Sequence, residues 1–238
     1  MPDIDLYTHS AHTYEFLQEK RPDYSDARRA MNDLVLAQFN AAGAISIADF
    51  CCGTGNNTKL LSEHLMVDKA ALIDINKEFL QIATQSGIRA REVGTIQSDI
   101  LNAALTPQYD LVISMFAYHH VPDADKGKYI EVVKSALKPG GVLLLGEIYV
   151  PDKATTHAYY SHLLEAIPVS ERTPALETFL TQTAESDEFE YKVSRPLAHD
   201  QLKAAGFALV TAKKIWPTET FAEDVGTWVE VWKRGLFR

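Results

Sequence analysis

The stretch Ile45-Ser-Ile-Ala-Asp-Phe-Cys-Cys-Gly-Thr-Gly-Asn-Asn-Thr58 decides the fold. Its apolar, β-branched first half is typical of a buried parallel strand, and Gly53 and Gly55 permit backbone conformations that a side chain would obstruct. The residues that follow, Lys59-Leu60-Leu61-Ser62-Glu63-His64-Leu65, favour a helix. The pattern therefore predicts a strand, a glycine turn and a helix N-terminus with free backbone N–H groups, which together can hold a cofactor.

Four further apolar stretches predict more strands. The run Ala70-Ala-Leu-Ile-Asp74 ends on an acid, where a carboxylate can hold ribose hydroxyls. Thr95-Ile-Gln-Ser-Asp99-Ile100 ends a third short strand on another acid, and Tyr109–Met115 is the fourth strand. Leu137-Lys-Pro-Gly-Gly141 is a turn that leads into the fifth. Because helical stretches separate these strands, we expect parallel pairing through crossovers.

The segment from Asp49 to Tyr149 resembles the class I S-adenosylmethionine (SAM) dependent methyltransferases, in particular their small-molecule branch. Five motifs follow the family's order: Asp49-Phe-Cys-Cys-Gly-Thr-Gly55, Asp74, Asp99-Ile100, Phe116-Ala-Tyr-His-His-Val-Pro-Asp123 and Leu137-Lys-Pro-Gly-Gly141. The resemblance implies an α/β fold with a Rossmann-like, mostly parallel sheet of seven strands and an antiparallel last strand. It also implies N-terminal helices and a helical lid insertion.

The same resemblance implies which residues bind SAM. The glycine motif would meet the methionine part, Asp74 the ribose, and Asp99 with Ile100 the adenine. The expected cofactor residues are Tyr14, Asp49, Cys51, Gly53, Gly55, Asp74, Ile75, Asp99, Ile100, Met115 and Phe116. One position departs from the family: Cys51 stands where the first glycine is usual, which should narrow the space beside the cofactor.

The glycine motif argues against two other cofactor classes. A dinucleotide fingerprint needs Gly-x-Gly-x-x-Gly, but Asn56, Asn57 and Thr58 follow the two glycines. A phosphate-binding loop needs Gly-Lys-Ser or Gly-Lys-Thr, and neither occurs in the sequence.

Composition limits the partners. The 238 residues are 46% hydrophobic, enough to fill the core of one domain. With the resemblance, this predicts a single SAM-binding domain over residues 1–238. A formal net charge of −9 would repel a phosphate backbone, so we expect a small-molecule substrate and no nucleic acid. Without a signal-like or long apolar stretch, we expect a cytoplasmic monomer or homodimer that does not contact membranes. The adjacent Cys51 and Cys52 predict reduced thiols and no metal site.

Two segments outside the motifs are expected to cover the site. Residues 1–40 are predicted to form an N-terminal helical cap of two helices broken at Arg21-Pro-Asp-Tyr24. By the resemblance, Tyr7, Tyr14 or Tyr24 could face the sulfonium of SAM, with packing on the sheet as the alternative. Residues 150–195 are predicted to form a helical lid beside the carboxyl ends of the strands, where ligands of open parallel sheets bind.

Methyl transfer from SAM needs few catalytic groups, because the sulfonium already makes its attached carbons electrophilic. The protein mainly aligns and desolvates the two reactants. One base can remove a proton from the acceptor. The candidates are His119 and His120 after the fourth strand and Glu147 and Tyr149 at the end of the fifth, and we select His119, Glu147 and Tyr149. Arg195 could hold a substrate carboxylate.

Three functions remain open from the sequence. The leading one is methyl transfer from SAM to a small metabolite, as in secondary metabolism. In the second, the SAM amine attacks its own γ-carbon, giving azetidine-2-carboxylate and methylthioadenosine. The third is a SAM-binding partner protein without turnover.

Overall fold

Seven strands form one sheet in the order β3-β2-β1-β4-β5-β7-β6 in the computed structural model, which describes residues 11–40, 43–186, 190–219 and 221–235, without the side chains of residues 11–14. The strands are β1 (Ile45–Phe50), β2 (Val67–Asp74), β3 (Ala90–Gln97), β4 (Tyr109–Met115), β5 (Leu137–Tyr149), β6 (Phe207–Trp216) and β7 (Gly226–Arg234). Strands β1 to β5 pair in parallel, and β7 is antiparallel to both β5 and β6. The predicted class I methyltransferase sheet is thus confirmed.

Helices connect and flank these strands. They are α1 (Ala11–Glu19), α2 (Pro22–Phe39), α3 (Asn56–Ser62), α4 (Lys77–Gln85), α5 (Lys126–Ala136), α6 (Lys153–Ala166), α7 (Pro174–Glu185) and α8 (Arg195–Ala204). Among the helices in the described ranges, none has both the length and the apolarity needed to cross a bilayer.

Three element boundaries differ from the sequence prediction. Helix α2 begins at Pro22, so the break is confined to the residues around Arg21, because proline suits the first helical turn. Strand β3 ends at Gln97, which leaves Asp99 beyond the strand end. Strand β5 already starts at Leu137 and includes the glycine turn.

Apolar side chains cover both faces of the sheet. Ile47 and Ala48 belong to different buried clusters, as neighbours in a strand should when each face is covered. The cluster around Ile47 includes side chains of α2 and α3, namely Ala27, Ala30, Met31, Val35 and Leu61. The cluster around Ala48 includes side chains of α5 and α8, namely Tyr129, Ile130, Val133, Ala198 and Leu202, together with Trp228 and Trp232. The structural role predicted for the two tryptophans is confirmed.

The cap and the lid share a third cluster. Leu17 of α1 packs with Ile148 at the end of β5 and with apolar side chains of α6 and α7. The helical content predicted for residues 150–195 is therefore confirmed in α6 and α7. The treatment of residues 1–40 and 150–195 as cap and lid of a single domain stays a prediction.

The strand order fixes where a ligand can bind. It reverses between β1 and β4, and both strands run the same way. In open parallel sheets the crevice at such a switch point, outside the carboxyl ends of the strands, holds the ligand. The glycine turn after β1 and the His-His segment after β4 therefore border one crevice.

Candidate active site

The glycine turn after β1 has left-handed backbone at three positions. The φ angles are 53° at Cys51, 53° at Gly53 and 76° at Gly55. A Cβ built on Gly53 would have no heavy atom within 4 Å, whereas one on Gly55 would lie 3.0 Å from the Cβ of Ala83. Gly55 thus lets α4 pack against the turn, and Gly53 leaves open space beside its backbone.

Cys51, the departure from the family pattern, takes a conformation that costs a non-glycine residue roughly 1–2 kcal/mol. Its side chain packs against the core cluster around Ala48, and burial raises the pKa of its thiol. Cys51 and Cys52 are both free, as predicted. A half-buried thiol with a raised pKa that packs against the core is better suited to packing than to nucleophilic chemistry.

Asp74 anchors the turn from the end of β2. One carboxylate oxygen accepts the N–H of Gly53 at 2.9 Å, and the other accepts the N–H of Asn76 at 2.8 Å. Burial raises the pKa of Asp74, which is 8% exposed, while the neighbouring Ile75 is 67% exposed. A carboxylate with acceptor sites to spare next to an exposed apolar side chain suits a ribose and its base.

Asp49 lies at the end of β1 and is 1% exposed. Its carboxylate accepts the hydroxyl of Thr58 at 2.7 Å, which ties the strand to the first turn of α3. Burial raises the pKa of Asp49 to about 7. Asp49 therefore supports the turn from inside the protein.

The expected adenine contacts differ in exposure. Asp99 is exposed, and its carboxylate accepts the N–H of Leu101 at 2.9 Å, where it caps a short 3₁₀ helix. Ile100 is 7% exposed and belongs to the core cluster around Ala48. At this end of the sheet Asp99 offers its carboxylate to solvent, and Ile100 packs behind it.

Strand β4 ends in a tight turn at Phe116, whose φ is 56° and whose N–H donates to the carbonyl of Gly146 at 2.7 Å. A side chain at Gly146 would overlap that of Met115, so the glycine makes room for Met115. The ring of Phe116 stacks on Tyr24, with centroids 5.6 Å apart, and lies 5.7 Å from the guanidinium of Arg21. Tyr24, one of the three tyrosines considered from the sequence, thus reaches the end of β4.

His119 and Glu147 form a buried pair between the ends of β4 and β5. The His119 Nδ1 and Glu147 Oε2 atoms are 2.7 Å apart, and the two residues are 5% and 1% exposed. Glu147 also accepts the N–H groups of Tyr118 at 2.8 Å and Ile148 at 3.2 Å. Burial raises the pKa of Glu147 to about 7 and lowers the pKa of His119. With Nδ1 engaged, Nε2 is the nitrogen that His119 can present to a ligand.

Glu190 faces this pair from the segment that follows the lid helices. Its carboxylate lies 3.9 Å from Nε2 of His119 and 4.0 Å from Nδ1 of His120, and it forms an ion pair with the buried Lys192. Burial opposes ionisation, but Lys192 and the two histidines hold the pKa of Glu190 at about 2. The two histidines after β4 and the Glu190–Lys192 pair after the lid helices, which are distant in the sequence, thus form one polar wall.

A cleft of about 250 Å³, including solvent at its mouth, opens beside this wall. Its lining includes Arg21, Phe116, His119, His120, Tyr160 and Glu190. The cap, the end of β4 and the lid therefore all contribute to it. Glu147 lies behind His119 and is not part of the lining.

Arg21 is held in place by a buried network. Its guanidinium donates to both carboxylate oxygens of Asp23, at 3.1 and 2.7 Å, and to Gln18 at 2.7 Å. The hydroxyls of Tyr159 and Thr227 each donate to Asp23 at 2.9 Å. This network joins the cap, the lid and the start of β7.

Two expectations about polar side chains need correction. Tyr149 is 1% exposed, and its hydroxyl donates to Glu230 at 3.1 Å, so it does not border the cleft. Arg195 donates to Glu230 at 2.7 Å, and its guanidinium lies 3.6 Å from the ring of Trp228. Its charge therefore interacts with residues of the protein core. The physical reason is the same for Tyr149 and Arg195: the buried carboxylate of Glu230 on β7 needs hydrogen-bond donors, and both side chains supply one. The side chain of Tyr14 lies outside the described residues.

Sequence reasoning missed three residues of the site: Glu190, Lys192 and, as a cleft residue, Arg21. Glu190 and Lys192 stand in a short segment without a motif, and only folding brings it against His119. The Arg-Pro-x-Tyr pattern drew attention to its tyrosine, although a charged residue beside the helix break was an available signal.

Comparisons with known proteins agree with this geometry. Residues 47–141 match the family model described as a methyltransferase domain. An uncharacterized methyltransferase of Bacillus cereus is 25% identical over 150 residues, which are 62% of this chain and 68% of that protein. The chain is thus similar to class I SAM-dependent methyltransferases, and the methyltransferase domain lies in residues 47–141.

Two solved structures of other proteins have folds similar to that of this chain. The putative methyltransferase in a complex with the Haloferax volcanii Trm112 methyltransferase activator is 16% identical, with 98% of each chain covered and a TM-score of 0.66. The Burkholderia thailandensis 1,6-didemethyltoxoflavin-N1-methyltransferase, solved with S-adenosylhomocysteine, is 14% identical, with 88% of this chain and 78% of that chain covered and a TM-score of 0.58. SAM is the cofactor that the match to the methyltransferase domain indicates.

The residues of the methyltransferase fit that cofactor. Gly53 leaves open space, Asp74 offers a carboxylate, and Ile75 exposes an apolar side chain beside it. In the first turn of α3, the amide oxygen of Asn57 is buried and has no hydrogen-bond partner among the described residues. Such an acceptor suits the ammonium group of an amino acid.

Proposed function

We propose that this methyltransferase transfers the methyl group of SAM directly to a nucleophilic atom of a small-molecule metabolite bound in the cleft. The observation that carries the proposal is the position of His119. Its ring is fixed by Glu147 at 2.7 Å and borders a cleft that Phe116 lines at the end of β4, the strand that pairs with β1 and so ends beside the glycine turn. The acceptor and the cofactor would thus meet at the carboxyl ends of β1 and β4.

The walls of the cleft support a small acceptor. Side chains of the cap, the lid and the segment after β4 border it, and a concave site between such elements is where small molecules bind. The relative from Burkholderia thailandensis was solved with bound 1,6-didemethyltoxoflavin, a small molecule.

When bound, SAM supplies an electrophilic methyl group. In the proposed site the turn around Gly53 holds the methionine part, Asp74 the ribose hydroxyls, and Ile75 with Asp99 the adenine. Phe116 closes the space near the sulfonium. These residues bind and orient the cofactor, and the cap and lid exclude water.

His119 is the proposed catalytic residue and Glu147 its positioning residue. Glu147 accepts three backbone N–H groups, and its Oε2 lies 2.7 Å from Nδ1 of His119, which fixes the ring and directs Nε2 toward the acceptor. An imidazole in this place assists loss of the acceptor's proton. We expect His119→Asn to lower kcat by about 10²–10⁴-fold, the range for a lost acid–base group, without weakening SAM binding.

The cofactor site is tested with Asp74→Ala. Removing a carboxylate that accepts ribose hydroxyls should weaken SAM binding by roughly 1.5–3 kcal/mol, measured by calorimetry. Asp68→Ala is the control, because Asp68 lies on the same strand in an exposed pair with Arg91. Equal affinity of the two variants, both folded by circular dichroism, would contradict the cofactor site.

The reaction is tested by incubating the protein with SAM, alone and with panels of small amines, alcohols and phenols, and following products by mass spectrometry. S-adenosylhomocysteine with a methylated acceptor is the expected outcome. Methylthioadenosine from SAM alone would replace methyl transfer by the intramolecular cyclisation. SAM binding without turnover on any acceptor would favour the partner-protein alternative.

The remaining sequence predictions accompany this proposal. A cytoplasmic location, a monomer or homodimer, a role in secondary metabolism and a substrate other than nucleic acid all rest on composition and resemblance. Size-exclusion chromatography with light scattering tests the oligomeric state.

A further inference from the structure

Three side chains of the cleft wall have the chemistry and spacing of metal ligands. Nε2 of His119 lies 3.9 Å from Oε2 of Glu190, and Nδ1 of His120 lies 4.0 Å from Oε1 of the same carboxylate. One ligand atom from each residue lies within 4.8 Å of the others. Ligands bonded to one ion at about 2.1 Å lie roughly 3–3.5 Å apart, so the distances between the three atoms would have to shorten by up to about 1.5 Å to place them around an ion.

The groups behind these ligands match those behind metal-binding side chains. A histidine that binds a metal almost always donates its other ring N–H to a carboxylate or carbonyl, and Nδ1 of His119 lies 2.7 Å from Glu147. Carboxylate ligands are in turn hydrogen-bonded, and Lys192 contacts Oε2 of Glu190. That contact assigns Oε1, the oxygen nearer His120, as the coordinating atom. Glu147 and Glu190 together offset the charge of a cation.

The three ligands also leave room for a substrate. All of them line the cleft, and they form one wall of it. Two imidazoles and one carboxylate occupy three positions around an ion, and the remaining positions would face the cleft. This ligand set suits Zn²⁺, Fe²⁺ or Co²⁺, whereas Mg²⁺ and Ca²⁺ prefer oxygen ligands.

We propose that His119, His120 and Glu190 bind a divalent transition-metal ion that coordinates the methyl acceptor. This inference rests on the proposed methyl transfer but changes the role of His119, because Nε2 would coordinate the ion, and the ion instead of the imidazole would activate the acceptor. The acceptor would be a molecule with two adjacent donor atoms, at least one of them a hydroxyl. The coordinated hydroxyl loses its proton to water. Its oxygen then bonds to the methyl carbon as the sulfur–carbon bond of SAM breaks, with the electron pair staying on sulfur.

The first test is metal binding by the untagged protein after chelator treatment. Titration with Co²⁺ alone should give visible absorption bands of a nitrogen- and oxygen-ligated ion, with one ion per chain by native mass spectrometry. Glu190→Gln and His120→Ala should each weaken Co²⁺ binding at least tenfold, and Glu147→Gln about 10–100-fold. His157→Ala is the control, because this exposed histidine lies on the lid helix away from the three ligands.

Each outcome decides between the proposals. No bound ion, or equal Co²⁺ affinity in Glu190→Gln, His120→Ala and His157→Ala, would overturn the metal site. Full methyl transfer in the presence of excess chelator would also overturn it while the proposed function stands. Failure of the chelator-treated wild type to bind SAM would instead count against the proposed function.

Discussion

Asp49 shows how one buried carboxylate makes stability depend on pH. It is 1% exposed, its described side-chain hydrogen bond comes from Thr58 at 2.7 Å, and burial raises its pKa to about 7. Because the pKa in the folded protein is above its value of about 3.9 in the unfolded chain, folding favours the protonated form. The stabilisation is fully present below about pH 4 and is lost as the pH rises through 7.

We therefore expect Asp49→Asn to flatten this dependence. Between pH 6 and pH 8 the free energy of unfolding of the wild type should fall by about 1.4 kcal/mol more than that of the variant, measured by urea denaturation. Asp110→Asn, at a part-exposed residue paired with Lys138, serves as a comparison because its carboxylate is not fully buried. Parallel pH profiles for wild type and Asp49→Asn would contradict the raised pKa.

At the scale of the element, the two glycines of the turn have different roles: Gly55 allows α4 to pack, and Gly53 borders the space proposed for the cofactor. Gly53 and Gly55 both have left-handed backbone, so alanine at either position carries a similar conformational cost of roughly 1–2 kcal/mol. They differ in surroundings, since the space beside Gly53 is open and that beside Gly55 contains Ala83. The pair thus forms a matched experiment.

We expect Gly55→Ala to destabilise the fold more than Gly53→Ala, by about 1–3 kcal/mol, because its methyl group presses on α4. Gly53→Ala should instead lower SAM affinity at least tenfold, because its methyl group occupies the space proposed for the cofactor. Thermal unfolding and calorimetry measure the two effects separately. If Gly53→Ala bound SAM as well as the wild type, the cofactor would not lie against this turn.

At the scale of the whole molecule, Asp23 links three segments that are distant in the sequence. It pairs with Arg21, and the hydroxyls of Tyr159 and Thr227 donate to it. Asp23→Asn leaves the guanidinium of Arg21 buried without its counter-ion, so we expect a loss of about 3–5 kcal/mol in the free energy of unfolding. Asp26→Asn, which breaks an exposed pair with Arg29, should change it by less than about 0.5 kcal/mol. Similar effects of the two substitutions would contradict the proposed importance of the network.

The lid gives a second prediction at this scale. Helices α6 and α7 pack mainly on each other, on Leu17 and on the end of β5, and Tyr160 and Phe179 from them border the cleft. We expect their amides to exchange more slowly with solvent when SAM or S-adenosylhomocysteine is bound, whereas the outer strand β6 should be unaffected. Equal exchange in α6 and α7 with and without ligand would show that they do not act as a lid.

The fold was largely predictable from local sequence patterns. Strands were located by apolar runs, the turn by its glycines, and the acids Asp74 and Asp99 by their positions near strand ends, because each of these signals lies within a few consecutive residues. The predicted boundaries of elements were less accurate at the start of α2 and at the end of β3, where the local sequence is compatible with several boundary positions. Family resemblance then implied a mostly parallel sheet of seven strands with an antiparallel last strand, and the structure gave the order of the strands.

The candidate site was predictable only in part. His119 was found from its place after β4, but its neighbours were not, since Glu190 lies in a different segment of the chain and only tertiary packing brings it there. The direction of a side chain was also decided by distant residues: Tyr149 faces Glu230, and Glu147 faces His119. The sequence alone thus determined the sheet and the position of the glycine turn, because these depend on short-range periodicity and backbone geometry. The tertiary structure decided which charged groups meet in the cleft, because buried charges must find partners wherever the folded chain places them.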